Sequence, residues 1–448
     1  MMAAQLTKAG NAYTSAFREA RQRYAGEPAW LRHLREDSFA GFERLGFPTV
    51  AQEEWKYTNV APISQGHFVP VSQSNGDVVG NEAELAPFVY AEARHARLVF
   101  VNGILRSDLS SLEDLPSSVS AIDLIDATRE GPNEPALQRI ARPEKQSPEN
   151  GFVELNTALF ASGLFLKIPQ GLAVPAPIHL LFVSSSLNRE APAASFPRVL
   201  IAAEENSAAT IIESYVSLDD RAYFTNAVVD LQISAGARVE HYKVQRESTH
   251  AFHVAMTRAD LGRNAFYGTT SINLGAALCR HNIDVLMDHE GAECAVDGLY
   301  MVDGSQHTDT HSVIDHRRPH CTSHQLYKGI LDGKSRAVFN GKVFVRHGAQ
   351  KTDARQTNKN LLLSKEARVD TKPQLEIFAD DVKCTHGAAV GQLDEDETFY
   401  LESRGINPAL ARNLLTYGFA EEVIERIKID GIRRELDAVV LNRLRTQI

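Results

Sequence analysis

The sequence is poor in cysteine and has no long apolar run. Its 448 residues include four cysteines, Cys279, Cys294, Cys321 and Cys384, which are too few and too scattered for a disulfide framework in a chain of this size. No apolar stretch approaches the roughly 20 residues that a membrane-spanning helix needs, and residues 1–11 lack the charged-then-apolar pattern of a secretion signal. We therefore expect a cytoplasmic protein with reduced thiols and no membrane partner.

Basic charge and catalytic motifs are also scarce. The 47 Lys and Arg residues are outnumbered by 57 Asp and Glu residues, and the net charge of -10 opposes nonspecific binding to nucleic acid. The string GILDGKS, Gly329 to Ser335, is one residue short of a phosphate-binding loop and is predicted to form a hairpin turn. The chain has no G-x-S-x-G nucleophile motif. These absences favour a protein that is not an enzyme and that binds other proteins.

The chain changes character twice along its length. Apolar residues recur at helical intervals from Ala12 to about Gly46, which predicts a helical N-terminal unit over residues 1–95. Short β-branched and aromatic runs follow, with Asp-Gly turns predicted between them, and they predict a strand-rich unit over residues 96–400. Asn407 is a good N-cap and Pro408 suits the first helical position, so a helical unit is predicted over residues 401–448.

A loose repeat runs through the strand-rich unit. Alanine opens successive strand-like runs at Ala209, Ala237 and Ala265, which are evenly spaced along the chain. The series continues through Ala295, Ala337 and Ala367, and the step from Ala295 to Ala337, which is longer than the others, is predicted to mark a loop or an edge. Strand units of fixed period favour a β-solenoid, because one unit cannot bury its apolar face alone. A large β-sandwich with coincidental spacing is the alternative.

Four segments resemble one known family. The run from Tyr327 to Ser364, YKGILDGKSRAVFNGKVFVRHGAQKTDARQTNKNLLLS, is similar to the core signature shared by the SufB and SufD proteins of iron-sulfur cluster assembly. EEWKYTNV (residues 53–60), LNTALFASG (155–163) and FYLESRGI (399–406) resemble family positions in the same order. The resemblance implies a mainly β fold, a right-handed β-helix with two long strands per turn, flanked by helical N- and C-terminal domains.

The segment from Pro373 to Gly391, PQLEIFADDVKCTHGAAVG, resembles the SufD branch of the family. SufB tends to carry a Cys near Ala367 and a Glu where Gly387 stands, and this sequence departs from both. The resemblance implies a non-catalytic scaffold subunit of the SufBCD complex that pairs with a SufB-type subunit through the β-helix end and docks the SufC-type ATPase on its C-terminal helices. The sibling scaffold SufB is the alternative.

Cys384 and His386 are the candidate metal ligands. They are two residues apart in a strand-like context, so both side chains are predicted to project to one face. An iron-sulfur cluster normally takes four ligands, mostly thiolates, so a partner must supply the rest. The resemblance implies that His386 faces a SufB cysteine across the interface, where a transient cluster forms that the isolated chain lacks. A structural His and a buried apolar Cys are the alternatives, and flavin binding and homodimerisation stay open.

The C-terminal helices carry the candidate docking surface for the ATPase. An apolar stripe is predicted at Leu410, Leu414, Leu415, Phe419 and Val423. The stripe follows the predicted N-cap and repeats at helical spacing. Because the resemblance implies that the ATPase docks on the C-terminal helices, we expect these residues to face that partner.

Two other readings of the polar residues stay open. The segment from His307 to His324 is dense in potential zinc ligands, although their spacings fit no closed zinc pattern; its members are His307, His311, His316, His320, Cys321 and His324. A β-helical carbohydrate-active enzyme would use charged side chains on an exposed sheet face, for which Asp380, Asp381, Arg346 and Lys351 are candidates.

Overall fold

Two parallel sheets wind around a common interior in the computed structural model, which describes residues 8–72, 80–131, 136–137, 149–186 and 190–445. The strands are β1 (Val69–Pro70), β2 (Arg97–Val101), β3 (Ile104–Leu105), β4 (Ser120–Asp123), β5 (Leu164–Ile168), β6 (Ile178–Ser184), β7 (Ala193–Ser195), β8 (Arg198–Ala203), β9 (Ala208–Ser217), β10 (Phe224–Ile233), β11 (Arg238–Arg246), β12 (Phe252–Leu261), β13 (Phe266–Asn273), β14 (Leu278–Met287), β15 (Glu293–Val302), β16 (His307–His316), β17 (Thr322–Leu331), β18 (Arg336–Val345), β19 (Asp353–Leu362), β20 (Arg368–Ile377) and β21 (Lys383–Gly391). The helices are α1 (Lys8–Arg23), α2 (Ala29–Leu45), α3 (Ala61–Gln65), α4 (Glu82–Leu85), α5 (Leu124–Ala127), α6 (Gly151–Leu159), α7 (Glu395–Ser403), α8 (Pro408–Ile424) and α9 (Asp430–Arg445).

Successive strands alternate between the two sheets. Sheet A runs in the order β20-β18-β16-β14-β12-β10-β8-β5-β4, and sheet B runs in the order β21-β19-β17-β15-β13-β11-β9-β6-β2-β3. Each strand from β8 to β19 pairs in parallel with the strand two places further along the chain. The result is a β-solenoid of about seven turns, which confirms the predicted β-helix. The sense of winding stays a prediction.

The structure contains a repeat, but the later alanines of the predicted series do not occupy equivalent positions in it. Arg238, Phe266, Glu293, Thr322 and Asp353 are in register in sheet B, and their spacing is nearly constant because each turn holds two strands and two short connections. Ala295 lies inside β15, whereas Ala337 lies in β18 and Ala367 precedes β20 in sheet A. The long step from Ala295 to Ala337 therefore crosses from one sheet to the other, and the prediction of a loop there is wrong.

Alternate residues of each strand fill the interior, which we call the lumen. Apolar side chains from both sheets form its core, as Val296, Tyr300, Phe339 and Val343 do in the last turns. The period of two follows from the pleat, which sends neighbouring side chains to opposite faces. Because both faces of most strands are covered, buried residues run almost continuously through β8 and β10.

Helices cover the outer face of each sheet. The N-terminal helices α1, α2 and α6 pack on sheet A through residues such as Phe17, Phe39 and Phe152. The C-terminal helices α8 and α9 pack on sheet B through residues such as Val423 and Leu436. Both predicted helical regions are confirmed, although α5 and α6 lie within residues 96–400 and α7 begins before residue 401.

The start of α8 forms as predicted. The side chain of Asn407 accepts a hydrogen bond from the Leu410 N–H at 2.8 Å, and Pro408 occupies the first turn, where its missing N–H has no intrahelical partner to lose. Within the part of the chain that the structure describes, no helix is long and apolar enough to cross a membrane.

Candidate interface at the open end of the solenoid

The two ends of the solenoid differ. At the first end, β3 pairs antiparallel with β2 and β4 pairs antiparallel with β5, and Leu105, Leu115 and Val119 pack against the lumen core. At the last end, β20 and β21 each have a sheet neighbour on one side only among the residues that the structure describes. An edge strand of this kind presents unpaired N–H and C=O groups that another chain can pair with. The chain therefore has one closed end and one open end.

Alternate main-chain groups of β21 point out of the sheet at the open end. The N–H of Lys383 donates to the carbonyl of Thr352 at 2.8 Å, so the odd-numbered residues of β21 face β19. In a strand the N–H and C=O of the next residue point the opposite way. Cys384, His386 and Ala388 therefore direct their main-chain groups to the open edge, as does Val390.

The edge of β20 is interrupted. The N–H of Arg368 donates to the carbonyl of Ser335 at 3.1 Å, so even-numbered residues of β20 face β18 and odd-numbered residues face outward. Pro373 is one of these outward residues, and proline has no N–H to offer a new strand. Because β21 has no proline along its nine residues, it is the better edge for an incoming strand.

The candidate ligands Cys384 and His386 both lie on the lumen side of β21. Cys384 is in register with Ala354 and packs against the lumen core, and His386 is in register with the buried Gln356. Residues i and i+2 of a strand lie on the same face, about 6.6 Å apart, so the prediction that Cys384 and His386 share one face is confirmed. His386 is exposed in the last turn, where nothing in the described chain lies beyond it. Their role as ligands stays a prediction.

None of the four cysteines is a ready thiolate. Burial raises the pKa of Cys279 to about 12 and raises the pKa of Cys294, Cys321 and Cys384. Cys279, Cys294 and Cys321 are almost completely buried, whereas Cys384 is partly exposed. A thiol with a raised pKa is a weak nucleophile, so Cys384 is accessible to a metal but does not react readily by itself.

Sequence reasoning missed the amide side chains behind His386. Gln325 and Gln356 occupy the two preceding rungs of the same lumen column, and His386 follows on the next turn. The period of the repeat is the signal that would have found them. Both glutamines are buried, so the column that ends at His386 is polar.

A second polar group lies deeper in the lumen, where Glu213, His241 and Lys243 are almost completely buried. Glu213 accepts hydrogen bonds from His241 at 2.7 Å and from Lys243 at 2.8 Å. Burial alone would raise the pKa of Glu213, but Lys243 and His241 hold it well below its usual range. Glu247 lies 2.7 Å from His253 in the same region. Lys243 thus neutralises the charge of Glu213 inside the core, whereas burial lowers the pKa of His253 and favours its neutral form.

The predicted docking stripe on α8 divides into exposed and buried residues. Leu410 and Leu414 are 46% and 43% exposed, and they lie on one helix face because they are four residues apart. Leu415 is partly buried, and Phe419 is partly buried against sheet B, with the Lys328 Nζ 4.5 Å from its ring centre. Val423 is completely buried in the core beneath α8. The prediction that Val423 faces a partner is therefore wrong.

Helix α7 adds exposed aromatic surface beside the open end. It begins four residues after β21 ends and has no buried residue. Phe399 is 70% exposed and Tyr400 is 57% exposed. A nine-residue helix without buried contacts is marginal in water, so this surface is suited to packing against a partner.

The histidine-rich segment spreads over four different environments. His307 and His311 lie on the outer face of sheet A, where Thr58 Oγ1 lies 2.9 Å from His307 Nε2 and Glu54 lies 3.3 Å from His311 Nδ1. The lumen contains His316, which contacts the Ser323 Oγ at 2.9 Å. His320 lies in the turn before β17, the side chain of Cys321 packs into the lumen core, and His324 is exposed on the outer face of sheet B. No group of three or more His, Cys, Asp or Glu side chains among the described residues is arranged to hold a metal ion.

The charged candidates for carbohydrate chemistry form ion pairs at the turns. Arg346 Nε lies 2.8 Å from Asp315 Oδ1, and Lys351 pairs with Asp381. Arg346 and Lys351 follow β18, so they lie at a corner of the solenoid and not on an exposed sheet face. This arrangement gives no support to a polysaccharide-cleaving site.

Two predictions about glycine turns need correction. The segment from Asp332 to Ser335 connects β17 of sheet B to β18 of sheet A, so it is a turn between sheets and not a hairpin. Asp297 and Gly298 are one of the Asp-Gly pairs predicted to form a turn between strands, but they lie inside β15, where a Cβ on Gly298 would overlap the ring of Tyr327. Glycine is needed there for close packing of an aromatic ring.

These features define a solenoid protein that has one closed end, one open end and helices along the outer faces of both sheets. Residues 183–419 match the family model described as the SufBD core domain of SUF system FeS cluster assembly, and residues 7–180 match the SufBD protein N-terminal region. The chain therefore belongs to the SufBD family of iron-sulfur cluster assembly proteins.

Curated relatives agree with this assignment. An iron-sulfur cluster assembly SufBD family protein of Synechocystis is 36% identical over 404 residues, which are 88% of this chain and 86% of the relative. The iron-sulfur cluster assembly protein SufD of Escherichia coli is 33% identical over 403 residues, 90% of each chain. The protein of the same name in Bacillus subtilis is 27% identical over 441 residues, 97% of each chain.

Proposed function

We propose that this chain is a non-catalytic scaffold subunit of a SufBCD-type complex, on which iron-sulfur clusters are assembled and then transferred. The observation that carries the proposal is the open end, because it combines a nine-residue strand that has one free edge with two candidate ligands, Cys384 and His386, on its lumen side. Strand addition joins subunits through main-chain hydrogen bonds, and it would bring a partner's side chains next to these two residues.

A SufB-type subunit is the proposed partner at β21. A family sibling with its own solenoid end would continue both sheets and cover Ile377 and Val390, which are 41% and 47% exposed. Burial of such apolar side chains would add to the main-chain hydrogen bonds. A second copy of this chain has the same edge, so a homodimer is the competing occupant when the sibling is absent.

The cluster is the proposed substrate of the interface and not a resident group of this chain. A cluster normally takes four ligands, mostly thiolates. The geometry here offers the imidazole of His386 and the half-buried thiol of Cys384, so at least two ligands would come from the SufB-type subunit. Because coordination deprotonates a thiol, the raised pKa of Cys384 does not prevent its use once iron is present.

A SufC-type ATPase is the proposed partner at the exposed face of α8. Leu410 and Leu414 form the exposed part of the predicted stripe, and Glu421 and Glu425 add charge at the end of the helix. The sequence has no complete phosphate-binding loop of its own, which fits a division of labour in which the partner hydrolyses nucleotide. The proposed place of action is the cytoplasm, where thiols stay reduced.

Co-expression tests the proposal directly. The tagged chain is produced with a SufB-type subunit and a SufC-type ATPase, purified, and analysed by native mass spectrometry and absorption spectroscopy after reconstitution with iron and sulfide. We expect a complex that contains both partners and develops cluster absorption, whereas the chain alone stays colourless. Purification of the chain without either partner, or tight stoichiometric iron in the chain alone, would contradict the proposal.

A further inference from the structure

Three polar side chains form a column in the lumen that ends at the open edge. Gln325 in β17, Gln356 in β19 and His386 in β21 are in register on successive turns of sheet B. Gln325 is 4% exposed and Gln356 is 2% exposed, whereas His386 is exposed. The column therefore leads from the buried interior to the candidate ligand.

The hydrogen bonds of this column all run in one direction. Gln325 Nε2 donates to Ser312 Oγ at 2.8 Å, and Gln356 Nε2 donates to Gln325 Oε1 at 2.6 Å. Gln356 Oε1 is buried and has no hydrogen-bond partner among the described residues. A buried carbonyl without a partner is unfavourable, so this oxygen is an acceptor that lacks its donor.

The direction of this free oxygen follows from amide geometry. The nitrogen and oxygen of the Gln356 amide lie on opposite sides of the Cγ–Cδ bond axis, because the amide carbon is trigonal. An amide whose Nε2 points to Gln325 on the preceding turn therefore directs its Oε1 toward the following turn. His386 occupies that position on the following turn. Gly341 in the opposite sheet leaves room for the amide, because a Cβ there would lie 2.9 Å from the Gln356 Cδ and would overlap Nε2.

We propose that Gln356 is a positioning residue for His386, an inference that rests on the proposed function. Its Oε1 accepts a hydrogen bond from one N–H of the imidazole when the open end is covered. This bond selects one tautomer and fixes the ring plane, so the other ring nitrogen presents its lone pair to the cluster site. Histidine ligands of metals commonly donate their second nitrogen to such an acceptor.

The test measures the tautomer of His386 by 15N NMR, in the full-length chain labelled at histidine and paired with a SufB-type subunit. We expect the tautomer ratio to differ from that of a solvent-exposed histidine by about five- to tenfold, the factor that one ordinary hydrogen bond produces. Gln356→Met should bring the ratio close to that of a solvent-exposed histidine. Gln356→Glu, which keeps an acceptor oxygen, should restore the preference.

Two further variants separate positioning from packing. Gly341→Ala should reduce the tautomer preference by displacing the amide while Gln356 itself is retained. Asn360→Ala is the matched control, because Asn360 is a buried amide of the same strand whose register partner is Val390 and not His386. It should leave the tautomer ratio unchanged.

The outcomes distinguish this inference from the proposed function. A tautomer ratio in the unmodified complex equal to that of a solvent-exposed histidine, or an unchanged ratio in Gln356→Met, would overturn the positioning role. If the ratio depends on Gln356 but His386→Ala leaves cluster yield unchanged, the hydrogen bond exists and the ligand assignment fails. If Gln356→Met lowers cluster yield without any change of tautomer, its effect is structural and the inference is wrong.

Discussion

Ala388 offers the sharpest test of the open edge, because its main-chain N–H faces outward while that of the next residue, Ala389, faces β19. Ala388→Pro removes a donor that the isolated chain does not use, so its free energy of unfolding should fall by less than about 1 kcal/mol. Ala389→Pro removes a donor of the existing ladder and leaves a carbonyl of β19 unpaired, which should cost about 1–3 kcal/mol.

Ala388→Pro should weaken binding of the partner although it has little effect on stability. In the paired state, Ala388→Pro would leave a partner carbonyl buried without a donor, at a cost of about 1–3 kcal/mol, so affinity should fall roughly 5- to 150-fold. Thermal denaturation followed by circular dichroism gives the stability of each variant, and biolayer interferometry with an immobilised SufB-type subunit gives the affinity.

Either of two results would refute the edge-pairing argument. One is wild-type affinity in Ala388→Pro, which would mean that no strand pairs with this edge. The other is a loss of stability in Ala388→Pro as large as that in Ala389→Pro, which would mean that the assigned direction of the main-chain groups is wrong. Ala389→Ser serves as the control for a change of side chain alone, and it should match the wild type in both assays.

Three further predictions concern other parts of the molecule. Cys384 should be the thiol that a maleimide modifies first in the native chain, and the SufB-type subunit should protect it; peptide mass spectrometry that finds Cys279 modified first would contradict this order. Leu410→Glu with Leu414→Glu should abolish co-purification with the ATPase at an unchanged melting temperature; retained ATPase would exclude this face. The hydrogen bond from His311, together with Lys342, lowers the pKa of Glu54 to about 2. The ionised carboxylate therefore stabilises the fold at pH values above its pKa in the unfolded chain, about 4.3. The free energy of unfolding lost in Glu54→Gln should be largest at neutral pH and should vanish as pH falls toward 2, whereas a pH-independent loss would rule out the ionic contribution.

Deletion of the C-terminal helices is a less informative test of ATPase docking. Ile427, Ile432 and Leu436 are buried with Val423 against sheet B, so their removal would expose an apolar sheet face. A truncated chain is therefore expected to be destabilised as well as unable to bind. Substitutions at exposed positions avoid this ambiguity.

The repeat and the helix caps could be predicted from the sequence because they depend on local patterns. The even spacing is visible at Ala209, Ala237 and Ala265, and all three precede or begin strands of sheet B. Asn407 and Pro408 form the N-terminus of α8 as expected. Local propensity is sufficient where a single turn of helix or a single strand decides the conformation.

The sheet to which each strand belongs could not be predicted, because the two strands of each turn have the same alternation of side chains. Polar residues also face inward, as Glu213 and Lys243 do, and they disrupt the alternation of apolar and polar residues that normally marks the buried face. For the same reason His307 and His316 looked like parts of one cluster, although one lies outside sheet A and the other inside the lumen.

The candidate site was found only in part. Cys384 and His386 followed from their spacing and from the family resemblance, and their common face is confirmed. Gln356 and Pro373 matter only through the register of β19 and the edge position of β20, which depend on pairing between successive turns and not on neighbours along the chain. Val423 was misplaced because helical periodicity identifies an apolar face and does not say whether the sheet or a partner covers it.

Cluster yield in His386→Ala, measured on the purified complex, tests the central claim most directly. The variant and the matched controls His320→Ala and His324→Ala are each co-expressed with the SufB-type subunit and the ATPase, and cluster content is measured from absorbance and from bound iron per complex. The account predicts normal assembly of all three complexes, a large loss of cluster in His386→Ala alone, and a stability change of no more than about 1 kcal/mol, as for an exposed side chain. Full cluster content in His386→Ala, or its failure to assemble with the two partners, would contradict the account.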